Sequence, residues 1–112
     1  SMKDALCLWA NTGIPAIATQ GEGYGISDTA VNELKRRYKQ VYILLDNDEA
    51  GLIDGEKLAA STGFTNIVLP QFEGGKDISD LMRIKGKDVF LKTILPLFNI
   101  NNNDLERNKR FP

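Results

Sequence analysis

A chain of 112 residues with 42% hydrophobic and 26% charged residues has the length and mix of one ordinary globular domain, which excludes a disordered or fibrous class. One cysteine and no histidine leave no internal disulfide, no Cys/His zinc set and no histidine-activated nucleophile, so any chemistry rests on carboxylates, lysines or a hard metal ion. A net charge of -1 exerts no overall pull on phosphate backbones, and neither a membrane-length apolar run nor a leader-like start is present, so a cytoplasmic location is expected.

In chain order, Ala5, Leu6, Leu8, Trp9 and Ala10 recur at helical spacing and predict a helix over 3–11, closed by Thr12-Gly13. Cys7 and Trp9 are expected in the core of that helix's packing. Residues 15–19 form a short apolar run that reads as a buried strand, followed by a loop with Gly21, Gly23 and Gly25. Ser27 is a good N-cap for a second helix, on which Ala30, Val31, Leu34 and Tyr38 form the apolar stripe. Its exposed residues Lys35, Arg36 and Arg37, with Lys39 beyond, are either a solvated face or a phosphate-binding patch, and the solvated face is the reading preferred.

Val41 to Leu45 is a continuous apolar run, as a strand covered on both faces requires. A helix over about 50–61 with Gly63 at its end, then a strand over 65–69 stopped by Pro70, complete a β-α-β-α-β order that implies a parallel sheet with right-handed crossovers. A loop over 71–76, a short helix over 78–84 and a further helix over 88–95, interrupted by Pro96, follow. Residues 99–112 are Asn-rich and charged, and read as a polar tail or linker.

The segment most informative about chemistry is Asp46-Asn47-Asp48-Glu49-Ala50-Gly51, acidic residues set between a buried strand and a helix. Ligands of open α/β sheets bind at the carboxyl ends of strands, where this loop lies. Two carboxylates one residue apart can converge on a cation, and oxygen ligands without His or Cys favour Mg²⁺, Mn²⁺ or Ca²⁺. The competing reading is that Asp46 caps the helix while the other acids face water; spacing alone leaves the two even. The sequence argues against an EF-hand, because the loop's twelfth position is Lys57 rather than Glu and the segment before it reads as a strand, not a helix.

This hexapeptide resembles the Asp-x-Asp-x-x-Gly motif of Toprim domains, found in bacterial and phage primases, topoisomerases and related nucleases. Lys3-Asp4-Ala5-Leu6 with Trp9 resembles the end of that family's first motif, Glu-Gly-x-x-Asp-Ala-Leu. Gly74-Gly75-Lys76-Asp77-Ile78-Ser79-Asp80-Leu81 resembles the late Lys-Asp-x-x-Asp-Leu element of primase-type members. The three segments lie in register over 3–98. The resemblance implies a three-layer α/β/α, Rossmann-like Toprim domain with a short parallel sheet. It also implies Mg²⁺ or Mn²⁺ as cofactor, with Asp46 and Asp48 as the metal-binding and catalytic pair, Asp77 as a further metal ligand, and Asp4, Gly51 and Lys76 in support.

By register the family's Glu stands immediately before Ser1, so the resemblance implies that this Glu and the first strand are missing, and Ser1-Met2 looks like a pair left by cloning. The expectation is therefore a piece of a Mg²⁺-dependent DNA primase, of phage or prophage type, inactive alone, that meets DNA, ribonucleotides and a helicase domain through its parent protein. A Toprim-family nuclease and a non-catalytic metal- or nucleic-acid-binding module are the alternatives. Loss of a strand would also expose a sheet edge, and self-association through that edge is expected.

Overall fold

The computed structural model describes residues 2–18 and 26–100, and caps supplied by the sequence fix most of the helix ends. Helix α1 spans Met2–Thr12, where the Thr12 hydroxyl donates to the Leu8 carbonyl at 2.6 Å and accepts from the Ile14 N–H at 3.1 Å. Helix α2 spans Asp28–Arg37 behind Ser27, whose hydroxyl accepts from the Ala30 N–H at 3.1 Å. Strand β1 (Tyr42–Leu44) leads to α3 (Glu49–Thr62), which ends at Gly63 in the left-handed conformation with φ 82°. Strand β2 (Thr65–Ile67) is followed by α4 (Ile78–Lys85) and α5 (Lys87–Ile94). A 3-10 turn over Leu95–Phe98 succeeds α5, with Pro96 near its start where a missing N–H breaks no ladder.

The two strands pair in parallel, with Tyr42 opposite Thr65, Ile43 opposite Asn66 and Leu44 opposite Ile67. Alternation along a strand puts Tyr42, Leu44 and Ile67 on one face and Ile43 with Asn66 on the other. The first face backs the main core, made by Leu8 of α1, Leu69, Ile78 and Leu81 of α4, Phe90 and Ile94 of α5, and Phe98. Within it the Tyr42 and Phe98 rings meet edge-on, 5.0 Å between centroids. The second face receives α3, where a Cβ on Gly55 would come within 2.7 Å of the Asn66 side chain. Helices thus cover both faces of a short parallel sheet, which is the α/β class the alternation of elements implies.

Two sequence-based expectations need correction. Residues 14–18 do not form a strand, and Ile17 is 70% exposed; Thr19 and the three loop glycines lie outside the described residues. A strand needs a hydrogen-bonded neighbour, and here a groove of about 330 Å³ lies between residues 14–17 and β1, lined also by Leu8, Tyr42, Leu44 and Phe98. The Thr65 N–H donates to the Val41 carbonyl at 3.1 Å, so Val41 and Ile43 turn their polar groups to β2. In a parallel ladder those groups alternate sides, so Tyr42 and Leu44 turn theirs to the groove. Trp9 is the second correction: it is 54% exposed, because α1 packs through Leu8 and Thr12, and Trp9 lies about 100° around the helix from Leu8. Cys7 is half-buried against the core.

The strand predicted over 65–69 is shorter than its apolar run, because Val68 is 49% exposed and only Thr65–Ile67 pair with β1. Of the predicted tail, residues 101–112 lie outside the described residues, whereas Ile100 packs on the core. Among the described residues no helix is long and apolar enough to cross a membrane.

Candidate metal centre

At the carboxyl end of β1 the chain passes through Leu45, Asp46 and Asn47 and enters α3 at Asp48. Asp48 Oδ1 accepts from the Gly51 N–H at 2.9 Å, so the second acid of the loop, not Asp46, caps this helix. Asp46 lies two residues before the cap, too early for its side chain to reach the first free N–H groups of the helix. A Cβ on Gly51 would drive into the Asp46 backbone carbonyl, which explains why the first turn of α3 needs glycine to pass so close to the loop.

Asn47, between the two acids, is buried and fastens this loop to the next one. Its side-chain amide donates to the Pro70 carbonyl at 3.1 Å, its backbone N–H to the Lys76 carbonyl at 2.7 Å, and its own carbonyl accepts from the Gln71 amide at 2.6 Å. The 70–77 loop is therefore held against the end of β1, and Asp77 is brought to Asp46. No periodicity or motif marks Asn47 as a clamp; its one clue is an amide at a position that must be buried beneath the loop.

Carboxylate oxygens of Asp4, Asp46 and Asp77 all lie within 4.8 Å of one another, drawn from α1, the β1 end and the N-cap of α4. Each is fixed from its own side. Asp4 Oδ1 accepts from the Ser79 hydroxyl at 2.6 Å and from the Ser79 N–H at 3.3 Å. Asp77 Oδ1 accepts from the Asp80 N–H at 2.8 Å, and its Oδ2 from the Lys3 ammonium at 3.1 Å. Lys76 stands at the rim, its ammonium 3.7 Å from Asp46 Oδ2 and 3.4 Å from Asp48 Oδ2.

Electrostatics separates the two acids of the β1 loop. Burial pushes the Asp46 carboxyl above its ordinary pKa, and Asp77, Asp48 and Asp4 add to the push while Lys76 opposes it. Asp48 moves the other way, held below its ordinary value first by the Gly51 N–H and then by Lys76. The donor set fits a hard divalent cation: it is all carboxylate, and a dication would relieve the repulsion that raises Asp46. On one Mg²⁺ two oxygens stand ~4.2 Å apart when opposite and ~2.9 Å when adjacent, so the three carboxylates would have to close in from their present spacing to share the ion.

Of the residues singled out from sequence, Asp46, Asp77 and Asp4 thus gather into one group, with Asp48 and Lys76 on its rim and Gly51 beneath the loop. Lys3, Asn47 and Ser79 were not singled out, though each holds a member of the group. The basic residues of α2 are engaged locally: Glu33 accepts from Arg36 and from Arg37, each at 2.6 Å, and Lys35 lies over the Phe64 ring at 5.9 Å.

No curated protein and no solved structure matches this chain significantly. A family profile described as Toprim-like, Toprim_2, matches residues 1–82, a span that takes in β1, the acidic loop, Asp4 and Asp77. Toprim domains bind divalent metals and serve nucleic-acid chemistry, which is the functional class of this fold and its acidic group. With the match extending over more than half of the sequence, the chain belongs to the Toprim-like family.

Proposed function

We propose that this domain is of the primase type and that, with Mg²⁺ or Mn²⁺ on Asp46, Asp77 and Asp4, it serves nucleotidyl transfer to a growing strand on a DNA template. The observation that carries the reading is the convergence of three carboxylates at the carboxyl end of β1 within a Toprim-like chain. Bound there, Mg²⁺ supplies charge neutralisation at phosphoryl oxygens and a fixed orientation for the attacking group. The chain's own contribution is to hold the acids: Ser79 orients Asp4, Lys3 and the α4 N-terminus orient Asp77, and Asn47 keeps Asp46 facing both. Asp48 serves first as the cap of α3, its second oxygen turned to the Lys76 ammonium at the rim.

The primase type rests on the late Gly74-Gly75-Lys76-Asp77 element, which supplies both a ligand and a rim lysine to the group. The test pairs a metal map with a substrate test. Mn²⁺ is expected to broaden the NMR signals of Asp4, Asp46 and Asp77 first, and a ribonucleoside triphosphate is expected to bind only with metal present. Broadening that spares this loop and appears elsewhere overturns the metal centre. Metal-dependent cleavage of DNA that disappears in Asp46→Asn overturns the primase assignment in favour of a nuclease.

A further inference from the structure

The rim of the acidic group is itself cationic. Among the described residues, four carboxylates, Asp4, Asp46, Asp48 and Asp77, face two ammonium groups, Lys3 and Lys76, an excess of two negative charges. The two lysines are held differently. Lys3 bonds the buried Asp77 at 3.1 Å, opposite the side from which Asp80 donates, and ties α1 to α4. Lys76 instead bridges two acids at 3.7 and 3.4 Å, too long for strong hydrogen bonds, and its side chain is 55% exposed. Its backbone is fixed independently, the N–H donating to Asp80 at 3.1 Å and the carbonyl accepting from Asn47 at 2.7 Å. The chain around Lys76 is thus anchored while the half-exposed ammonium lies between the oxygens of two acids, one of them in the proposed metal set.

From this geometry, and resting on the metal reading above, we infer that Lys76 is a displaceable counter-ion that holds Asp46 and Asp48 in the metal-free domain and, turned outward by the metal, binds a phosphate of the incoming substrate. A metal cation on the Asp46 carboxylate repels an ammonium resting on the same group, so metal entry and the Lys76 bridge oppose each other. A lysine stem has four rotatable carbons, and a head already at the solvent boundary leaves without disturbing the fold. Outside the acids, the ammonium stays at the solvent-facing rim of the group, where it meets a phosphate as a point charge. The same side chain would therefore weaken metal binding and strengthen the binding of a metal-bound phosphate compound.

Those opposite signs define the test, made on the 112-residue chain with Mn²⁺ followed by electron paramagnetic resonance and with pyrophosphate as the phosphate probe. Lys76→Met is expected to tighten Mn²⁺ by about fivefold, the scale of one exposed charge pair lost. At saturating Mn²⁺ the same variant is expected to bind pyrophosphate about tenfold more weakly. Lys76→Arg should keep the pyrophosphate affinity, and Lys92→Met on α5 should change neither. Mn²⁺ affinity unchanged in Lys76→Met, with the wild-type site intact and lost in Asp46→Asn, overturns the counter-ion role while leaving the metal centre standing. Equal tightening in Lys92→Met overturns it too, as a general field effect. Unchanged pyrophosphate binding in Lys76→Met overturns the second role, and failure of wild type and Asp46→Asn to differ in Mn²⁺ binding brings down both readings together.

Discussion

The Asn47 side chain donates to the Pro70 carbonyl at 3.1 Å across 23 positions of sequence, and so joins the end of β1 to the loop that carries Lys76 and Asp77. Asn47 is 3% exposed, so removing its side chain leaves a buried void and takes from the Pro70 carbonyl its amide donor. Asn47→Ala is expected to cost about 1–3 kcal/mol of stability, read by urea unfolding. It should also weaken Mn²⁺ binding in the fraction still folded, because Asp77 is no longer held to Asp46. A variant as stable as wild type with unaltered Mn²⁺ binding would show that the clamp is dispensable.

Asp46→Asn should act on stability and on metal binding in opposite directions. It removes a half-buried charge pushed upward by burial and by three neighbouring acids, so the metal-free domain should melt about 2–5 °C higher. Mn²⁺ or Mg²⁺, which should raise the melting temperature of wild type, should leave the variant unmoved. Thermal unfolding with and without metal decides both halves.

For Asp48, the choice of replacement separates its two roles. Asn is as good an N-cap as Asp, so Asp48→Asn should keep the stability of α3, whereas Asp48→Ala should lose about 0.5–2 kcal/mol. Both lose the charge beside Lys76. A fall in Mn²⁺ affinity common to the two variants is the charge effect, and a fall seen only in Asp48→Ala is the cap's.

The pH dependence of the metal-free domain follows from the same opposed shifts. Asp46 has a raised folded pKa, so its ionisation disfavours the fold, and stability should increase as pH falls through that raised value. Asp48 and Asp80 have lowered folded values, the first through the Gly51 N–H and the second through the Lys76 N–H. Their stabilisation is present above the ordinary range and is lost as pH falls through it and below. The melting temperature should therefore pass through a maximum in mild acid, and Asp46→Asn should remove the rising limb while keeping the acid fall.

Tyr42 and Leu44 turn backbone groups toward the groove, and no described strand pairs with that edge of β1. An edge of this kind invites another strand. We expect the chain to self-associate there in a concentration-dependent way, measured by sedimentation, and a proline at Leu44, which removes one N–H donor facing the groove, should reduce it. A monomer at all concentrations would show that the groove needs no partner.

The acidic loop was legible in the sequence because a continuous apolar run, 41–45, stops at Asp46 and places the next carboxylates at a strand end. Which acids converge was less so. Asp48 is next but one to Asp46 in the chain, yet its geometry is that of a helix cap; Asp4 reaches the group through Ser79, 75 positions away, a pairing no local spacing encodes. The Ser27 cap and the Gly63 stop could be read directly, since both are one-residue chemistry. Trp9 and residues 15–18 could not, because an apolar residue or run does not say which neighbour will cover it, and here the helix turns Trp9 outward and the run has no paired strand.

Helix α1 contributes Asp4 and Lys3 to the site yet inserts just Leu8 and Thr12 as buried side chains, leaving Met2, Leu6 and Trp9 exposed. One of those two buried side chains is polar, whereas α4 buries Ile78 and Leu81 and α5 buries Phe90 and Ile94, so the apolar hold of α1 is lighter, and in hydrogen exchange it should open as a separate, low-energy unit well before global unfolding. Each such opening carries Asp4 away and breaks the Lys3 tie to Asp77. The lifetime of an intact site is then set by the local docking of one short helix rather than by the melting temperature of the whole chain, and whatever grips the exposed side of α1 would lengthen it.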